Sequence, residues 1–205
     1  GEFGAGAEKL GISFERGPAD KGLGSAGWYN DIWFRQAAEQ EGRIAINLIG
    51  DAFSDAMRQQ AIDAIRQQLG QVDLVIYSLA SGIRVLPDGR QVRSVLKTTG
   101  QPFSGWGLDL EQDTLVQQSL APATPEEIRD TVTVMGGEDW QLWLQALQQA
   151  DCLAPGAQTV AYSYIGPEST YPLYRDGTIG YAKEHLHATA ETINLQLAEI
   201  GGHAW

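Results

Sequence analysis

Short, nearly continuous apolar runs alternate along the chain with segments whose apolar residues recur every three or four positions. The runs are Leu10-Gly11-Ile12-Ser13-Phe14, Ile44 to Ile49, Val72 to Tyr77, and Thr159 to Ile165. Unbroken apolar character, rather than clean alternation, is what parallel strands buried on both faces require. The periodic segments predict helices. One is capped by Asn30 or Asp31 and carries Ile32, Phe34, Ala37 and Ala38 inward. Ser54 caps a second, with Met57, Ala61, Ile62, Ile65 and Leu69 on one face and Gly70 as its stop. Thr124-Pro125-Glu126-Glu127 offers a hydroxyl cap, a proline at the first helical position and a glutamate at the third. Trp140, Trp143, Leu144 and Leu147 then share a face, and a last helix runs from Gly177 or Thr178 to Ile200, ending at Gly201-Gly202. Strand and helix alternate often enough to predict an α/β fold with a doubly wound parallel sheet. Between Arg84 and Leu120 the pattern fails: Pro87-Asp88-Gly89-Arg90 is a turn, and the segment from Val92 predicts a hairpin excursion. No repeat or linker divides residues 1–205, so a single domain is expected.

Composition narrows the chemistry. With 14 Lys+Arg against 26 Asp+Glu the net charge is −12, which argues against nucleic acid or an anionic membrane as partner. No apolar run reaches the roughly 18–20 residues of a membrane span. One cysteine, Cys152, excludes an internal disulfide and a cysteine-rich zinc site, and reads as a small buried apolar residue. The three histidines, His185, His187 and His203, all fall near the end of the chain. His185 and His187 are two apart on different faces of a helix, which suits surface positions and not joint metal ligation, so no metal is expected. The cytoplasm is the expected compartment.

Tyrosines are unevenly spread. Tyr162, Tyr164, Tyr171, Tyr174 and Tyr181 fall in one stretch that leaves a strand, crosses a loop with Gly166-Pro167 and enters a helix. Ligands of open α/β sheets bind outside the carboxyl ends of strands. A phenol titrates near 10, and an ammonium beside it favours the phenolate and eases proton transfer. Tyr174 and Lys183 are such a candidate pair; packed tyrosines and a solvated helix lysine are the ordinary alternative. Glu15, ending the first strand, can accept from the ribose hydroxyls of a dinucleotide or be a solvated loop carboxylate. Asp51-Ala52 and Leu79-Ala80-Ser81 end the next two strands, where adenine and ribose would lie. Gly22, Gly24 and Gly27 loosely resemble a phosphate loop but do not directly join a strand to a helix, as such a turn requires.

Several stretches together resemble one family. They are Gly24-Ser25-Ala26-Gly27-Trp28-Tyr29-Asn30, Gly50-Asp51-Ala52-Phe53-Ser54, Val72 to Ser81, Val134-Met135-Gly136-Gly137-Glu138-Asp139-Trp140, Val160 to Glu168, and Tyr174-Arg175-Asp176-Gly177-Thr178-Ile179-Gly180. The chain resembles, over essentially its whole length, the trans-2-enoyl-CoA reductases, NADH-dependent enoyl reductases of bacterial fatty acid synthesis. That resemblance implies a Rossmann-like sheet related to the short-chain dehydrogenases. It also implies a central fragment of a larger reductase, incomplete at both ends. Phe3-Gly4-Ala5-Gly6-Ala7 would close the helix after a phosphate turn that the sequence does not hold. The family separates its catalytic tyrosine and lysine by eight residues, the number between Tyr174 and Lys183. Tyr174 is then the expected proton donor, Lys183 its helper and a ribose contact, and Tyr164 a substrate contact. Phe14 and Glu15 would line the adenosine ribose, with Glu15 favouring NADH over NADPH. Asp51, Ala52, Leu79 and Ala80 match the remaining cofactor positions. The implied substrate is an enoyl-CoA or an enoyl thioester of acyl carrier protein, and the implied state a monomer. Another short-chain-type reductase, or a dinucleotide-binding piece without activity, stays open as an alternative.

Overall fold

The computed structural model describes residues 6–20, 22–79, 81–164 and 166–205. Phe3, Gly4, Ala5, Ala80 and Ile165 therefore lie outside the described residues. The elements follow in the order β1 (Lys9–Ser13), α1 (Ala26–Gln40), β2 (Ala45–Ile49), α2 (Asp55–Gln68), β3 (Val72–Tyr77), β4 (Ile83–Val85), β5 (Gln91–Arg93) and β6 (Phe103–Asp109). Then come β7 (Thr114–Leu120), α3 (Pro125–Met135), α4 (Glu138–Gln149), β8 (Leu153–Ala161), α5 (Tyr171–Tyr174), α6 (Thr178–Leu197) and β9 (His203–Ala204). They form two compact units, one comprising the described residues up to Asp73 with Gln145–Ala154, the other Leu74–Leu144 with Pro155–Trp205.

In the first unit β1 and β2 pair in parallel, Lys9 opposite Ala45 through Ser13 opposite Ile49. Helices α1 and α2 both pack on β2. Ser54 caps α2 as its sequence predicts, accepting from the Met57 N–H at 3.1 Å. Gly70, just past the helix, takes a φ of 78°, a left-handed conformation open to glycine without a Cβ clash. The apolar face of α2 buries Met57, Ala61, Ile62 and Ile65, and Leu147, Cys152 and Leu153 are buried in the same unit. Each large aliphatic side chain removed from water in this way contributes about 1.5–3 kcal/mol. Arg66 ties α2 to the later segment by donating twice to the Ala150 carbonyl, at 2.7 and 3.1 Å.

In the second unit β8 lies between β3 and β9. β8 and β9 run parallel, with Gln158 opposite His203 and Thr159 opposite Ala204. Thr159 is wholly buried and carries a polar link through the core: its hydroxyl accepts from Trp140 Nε1 and donates to the Val75 carbonyl, both at 2.9 Å. Buried polar groups need such partners, and Trp140, itself fully buried, finds one for its indole N–H. Helix α3 packs along α6 and carries the β4–β5 hairpin. Its start is a full capping box, Thr124 Oγ1 accepting from the Glu127 N–H while the Glu127 carboxylate accepts from the Thr124 N–H.

Three boundaries differ from the sequence reading. The fourth strand runs from Leu153 to Ala161, not from Thr159 to Ile165, because β8 takes in Pro155-Gly156, with Gly156 making an irregular step at φ 79°. Helix α1 starts at Ala26, four residues before Asn30, and its N-cap Ser25 makes no side-chain cap bond. The irregular stretch holds two antiparallel hairpins, β4–β5 and the longer β6–β7, where one was expected. Among the described residues no helix is long and apolar enough to cross a membrane.

Candidate active site

Beyond β8 the chain passes Tyr164 and a 3-10 turn at Glu168–Thr170 before reaching α5 and α6. This path brings three side chains named by the sequence into one cluster of the second unit. The Tyr164 and Tyr174 rings meet edge to face, with centroids 5.8 Å apart and planes at 89°. Lys183, in the second turn of α6, places its Nζ 5.5 Å from the Tyr164 ring centroid and 6.0 Å from that of Tyr174. Both distances fall in the range where an ammonium is drawn to an aromatic face.

The ammonium is the unusual member. Lys183 Nζ is buried and, among the described residues, has no hydrogen-bond partner. Burial pushes its pKa below the ordinary lysine value, because removal from water disfavours the charged form. A buried cation without an anion is a cost that folds rarely carry, and such perturbed groups concentrate at functional sites. The orphaned donor suits hydroxyl acceptors such as those of a ribose.

Local packing explains why α6 can begin so close to Tyr174. A Cβ on Gly180 would stand 1.7 Å from the Arg175 carbonyl oxygen, so the α5–α6 corner closes only over glycine. Beside Tyr174, Arg175 lies 3.9 Å over the Tyr171 ring and pairs with Asp176 at 2.8 Å. That pairing raises the Arg175 pKa and lowers that of Asp176.

The cofactor-side residues divide between the units. Phe14, Glu15, Asp51 and Ala52 belong to the first and Leu79 to the second, with Ala80 outside the described residues. Phe14 follows β1 and is 84% exposed. Glu15 is half-buried: Ser25 Oγ donates to its carboxylate, and a Cβ on Gly27 would stand 2.0 Å from its Oε1. Gly27 thus lets the carboxylate settle over the start of α1, where the helix dipole favours an anion. Asp51 Oδ1 accepts from the Phe53 N–H at 2.9 Å and shapes the turn into α2. Ala52 and Leu79 are half-buried.

Two contributors escaped the sequence. His185 is exposed, as expected of a surface histidine, yet its Nδ1 accepts from the Gly137 N–H at 3.0 Å, which pins the corner between α3 and α4 to α6. Thr178, read only as one possible start of a helix, is wholly buried. The Gly136-Gly137 pair was the available signal for the first; nothing local marks the second.

The family model described as the trans-2-enoyl-CoA reductase catalytic region matches residues 22–205. The chain belongs to the trans-2-enoyl-CoA reductase family. It is 53% identical over 204 residues to an enoyl-[acyl-carrier-protein] reductase [NADH] of Photobacterium profundum, covering 98% of this chain and 51% of that one. A Marinomonas reductase of the same description is 50% identical, with the same two coverages. Among solved structures, the trans-2-enoyl-CoA reductase of Clostridium acetobutulicum in complex with NADH superimposes with a TM-score of 0.93 at 42% identity, over 98% of this chain and 51% of that one. The Treponema denticola trans-2-enoyl-CoA reductase in complex with NAD gives 0.93 at 45% identity, over 99% and 51%. The chain therefore spans about half the length of these relatives. An L-sorbose reductase of Gluconobacter frateurii, 10% identical with a TM-score of 0.55, shares the fold alone. The fold of this chain is thus α/β with Rossmann-like parallel sheets, as the sequence predicts.

Proposed function

We propose that this chain takes part in the NADH-dependent reduction of the trans-2 double bond of enoyl thioesters, in fatty acid biosynthesis. The observation that carries the reading is Lys183 Nζ, buried and, among the described residues, without a hydrogen-bond partner, beside the Tyr164 and Tyr174 rings. Support comes also from relatives named as NADH-dependent enoyl reductases and from neighbours solved with NADH or NAD. Lys183 would hold the nicotinamide-side ribose, and Phe14, Glu15, Asp51, Ala52, Leu79 and Ala80 the adenosine side. Glu15 disfavours a 2′-phosphate by its charge, which selects NADH. An enoyl-CoA or an enoyl-carrier protein is the substrate, the cytoplasm the compartment and the monomer the working state.

Bound NADH would supply hydride to the β-carbon of the enoyl thioester. As the double bond is reduced, negative charge gathers on the thioester oxygen. Tyr174 would donate a hydrogen bond, worth most in the transition state, and then a proton to that oxygen. The enol so formed would return to the saturated thioester by protonation at the α-carbon and loss of the oxygen-bound proton. Lys183, an ammonium in a site shielded from water, favours the phenolate left on Tyr174 and so eases that transfer. Tyr164 packs edge-on against the Tyr174 ring and restricts its orientation.

Tyr174→Phe removes the donor and keeps the ring packing. Crotonyl-CoA-dependent NADH oxidation by the folded variant is expected to fall by at least about a hundredfold. Near-normal turnover in that variant overturns the assignment. NADH binding by the unsubstituted chain, with no oxidation under any enoyl thioester, favours a binding piece without activity.

A further inference from the structure

The Tyr174–Lys183 cluster is formed by the one-turn helix α5 and the start of the long helix α6, whose mutual placement depends on the corner between them. That corner is stitched to residues 95–97, an extended stretch remote in sequence, through one side chain. Thr178, the first residue of α6, is 0% exposed. Its hydroxyl accepts from the Lys97 N–H at 3.2 Å and donates to the Val95 carbonyl, while its own N–H donates to the Lys97 carbonyl at 2.9 Å. Thr99 Oγ1 adds a bond to the Asp176 carbonyl at 2.8 Å.

The stretch is itself held from the other side. Another wholly buried threonine, Thr131 of α3, accepts from the Val95 N–H at 3.0 Å and donates to the Glu127 carbonyl at 2.7 Å. Lys97 Nζ pairs with Glu127 at 2.5 Å, which also lowers the Glu127 pKa. The N-cap of α6, Gly177, has no side chain to offer, and a Cβ there would stand 2.5 Å from the Lys97 carbonyl. The usual N-cap hydroxyl is thus missing, and Thr178 replaces it with a tertiary anchor one residue later. Lys183 stands five residues beyond that anchor and Tyr174 four residues before it.

We propose that Thr178 is a positioning residue for the Tyr174–Lys183 pair: its buried hydroxyl locks the first turn of α6 to residues 95–97 and thereby sets where Lys183 Nζ stands. Without the lock, the first turn of α6 can move away from residues 95–97, and Nζ moves from its place beside the two rings toward water. The consequence for turnover rests on the reductase reading; the placement itself does not.

The experiment follows the Lys183 side chain in the full chain by an NMR pH titration, its signal assigned by its loss in Lys183→Met. Thr178→Val keeps the shape and drops both hydroxyl bonds. Its Lys183 midpoint is expected to rise toward the ordinary lysine value, while Thr178→Ser restores the original midpoint. A folded Thr178→Val with an unmoved midpoint overturns the proposal, whatever its melting temperature, because a purely structural threonine would change stability alone. Should the valine variant not fold, Thr178→Cys, with a weaker hydrogen-bonding thiol, is expected to show a smaller rise, and an unmoved midpoint there overturns the proposal equally. NADH oxidation with crotonyl-CoA is measured in parallel. If the unsubstituted chain oxidises no NADH while Thr178→Val still moves the midpoint, the reductase reading fails and the positioning role stands.

Discussion

Glu15 in the first unit and Lys183 in the second are both charged, both half-buried and both proposed as cofactor contacts, but the chain treats them in opposite ways. The carboxylate receives the Ser25 hydroxyl and rests over the start of α1 in space that only Gly27 leaves. The ammonium is taken out of water and left, among the described residues, without a hydrogen-bond partner. A satisfied charge stabilises the fold that holds it, and its removal is felt as lost stability. An unsatisfied one is a standing cost, and its removal relieves the fold while depriving the site of its cation. The contrast separates a residue that serves architecture and binding together from one whose environment is explained by what it would bind.

The largest effect expected is at the ammonium. Lys183→Met keeps the stem and removes the charge, so NADH oxidation should fall by at least about a hundredfold while the melting temperature stays level or rises. A lower melting temperature would mean that the ammonium is stabilising and break the contrast. The pH dependence has a definite sign. The folded-state pKa of Lys183 is lowered, so between that value and about 10.4 the unfolded chain binds more protons, and this group makes stability rise with pH. Below that window the penalty is complete. The stability difference between Lys183→Met and the unsubstituted chain should therefore be widest near neutrality and narrow as the pH climbs toward 10, measured by denaturant unfolding.

A smaller effect is expected at the carboxylate. Glu15→Gln should lower stability by about 1 kcal/mol, through loss of a charge-assisted bond at a helix start, and narrow the preference for NADH over NADPH. Unchanged stability with a changed cofactor ratio would make Glu15 a purely ligand-facing residue. The smallest effect is expected away from both charges. Trp106 on the β6–β7 ribbon is 72% exposed, so Trp106→Ser should shift unfolding by no more than about 0.5 kcal/mol. A larger loss would show that the ribbon's outer face supports the second unit.

What the sequence revealed follows the range over which each signal acts. Ser54, Gly70 and the Thr124–Glu127 box are caps that act within a turn of their own helix, and each sits where its residues predict. The stripe of Trp140, Trp143, Leu144 and Leu147 is also local, and all four are buried. The Tyr174–Lys183 pair stands out only through the family resemblance, whose eight-residue spacing it matches, since spacing alone leaves packed tyrosines and a solvated lysine open. Interactions that span many residues left no such trace. Ser25 looks like a helix cap but gives its hydroxyl to Glu15, ten positions earlier. Pro155-Gly156 lies inside β8 although Gly156 takes a φ of 79°. The isolation of Lys183 Nζ could not be read at all, because burial is a property of everything packed around a group.

Cys152 adds a different kind of information. It is the single cysteine of the chain, 0% exposed, and burial raises its thiol pKa, so both contact with solvent and conversion to thiolate are suppressed in the closed state. A thiol reagent can therefore modify the folded chain only after the packing around Cys152 opens. The labelling rate becomes a clock for local opening of the first unit, much as amide exchange is for a backbone. Because no second thiol competes, that clock reads one place in the core.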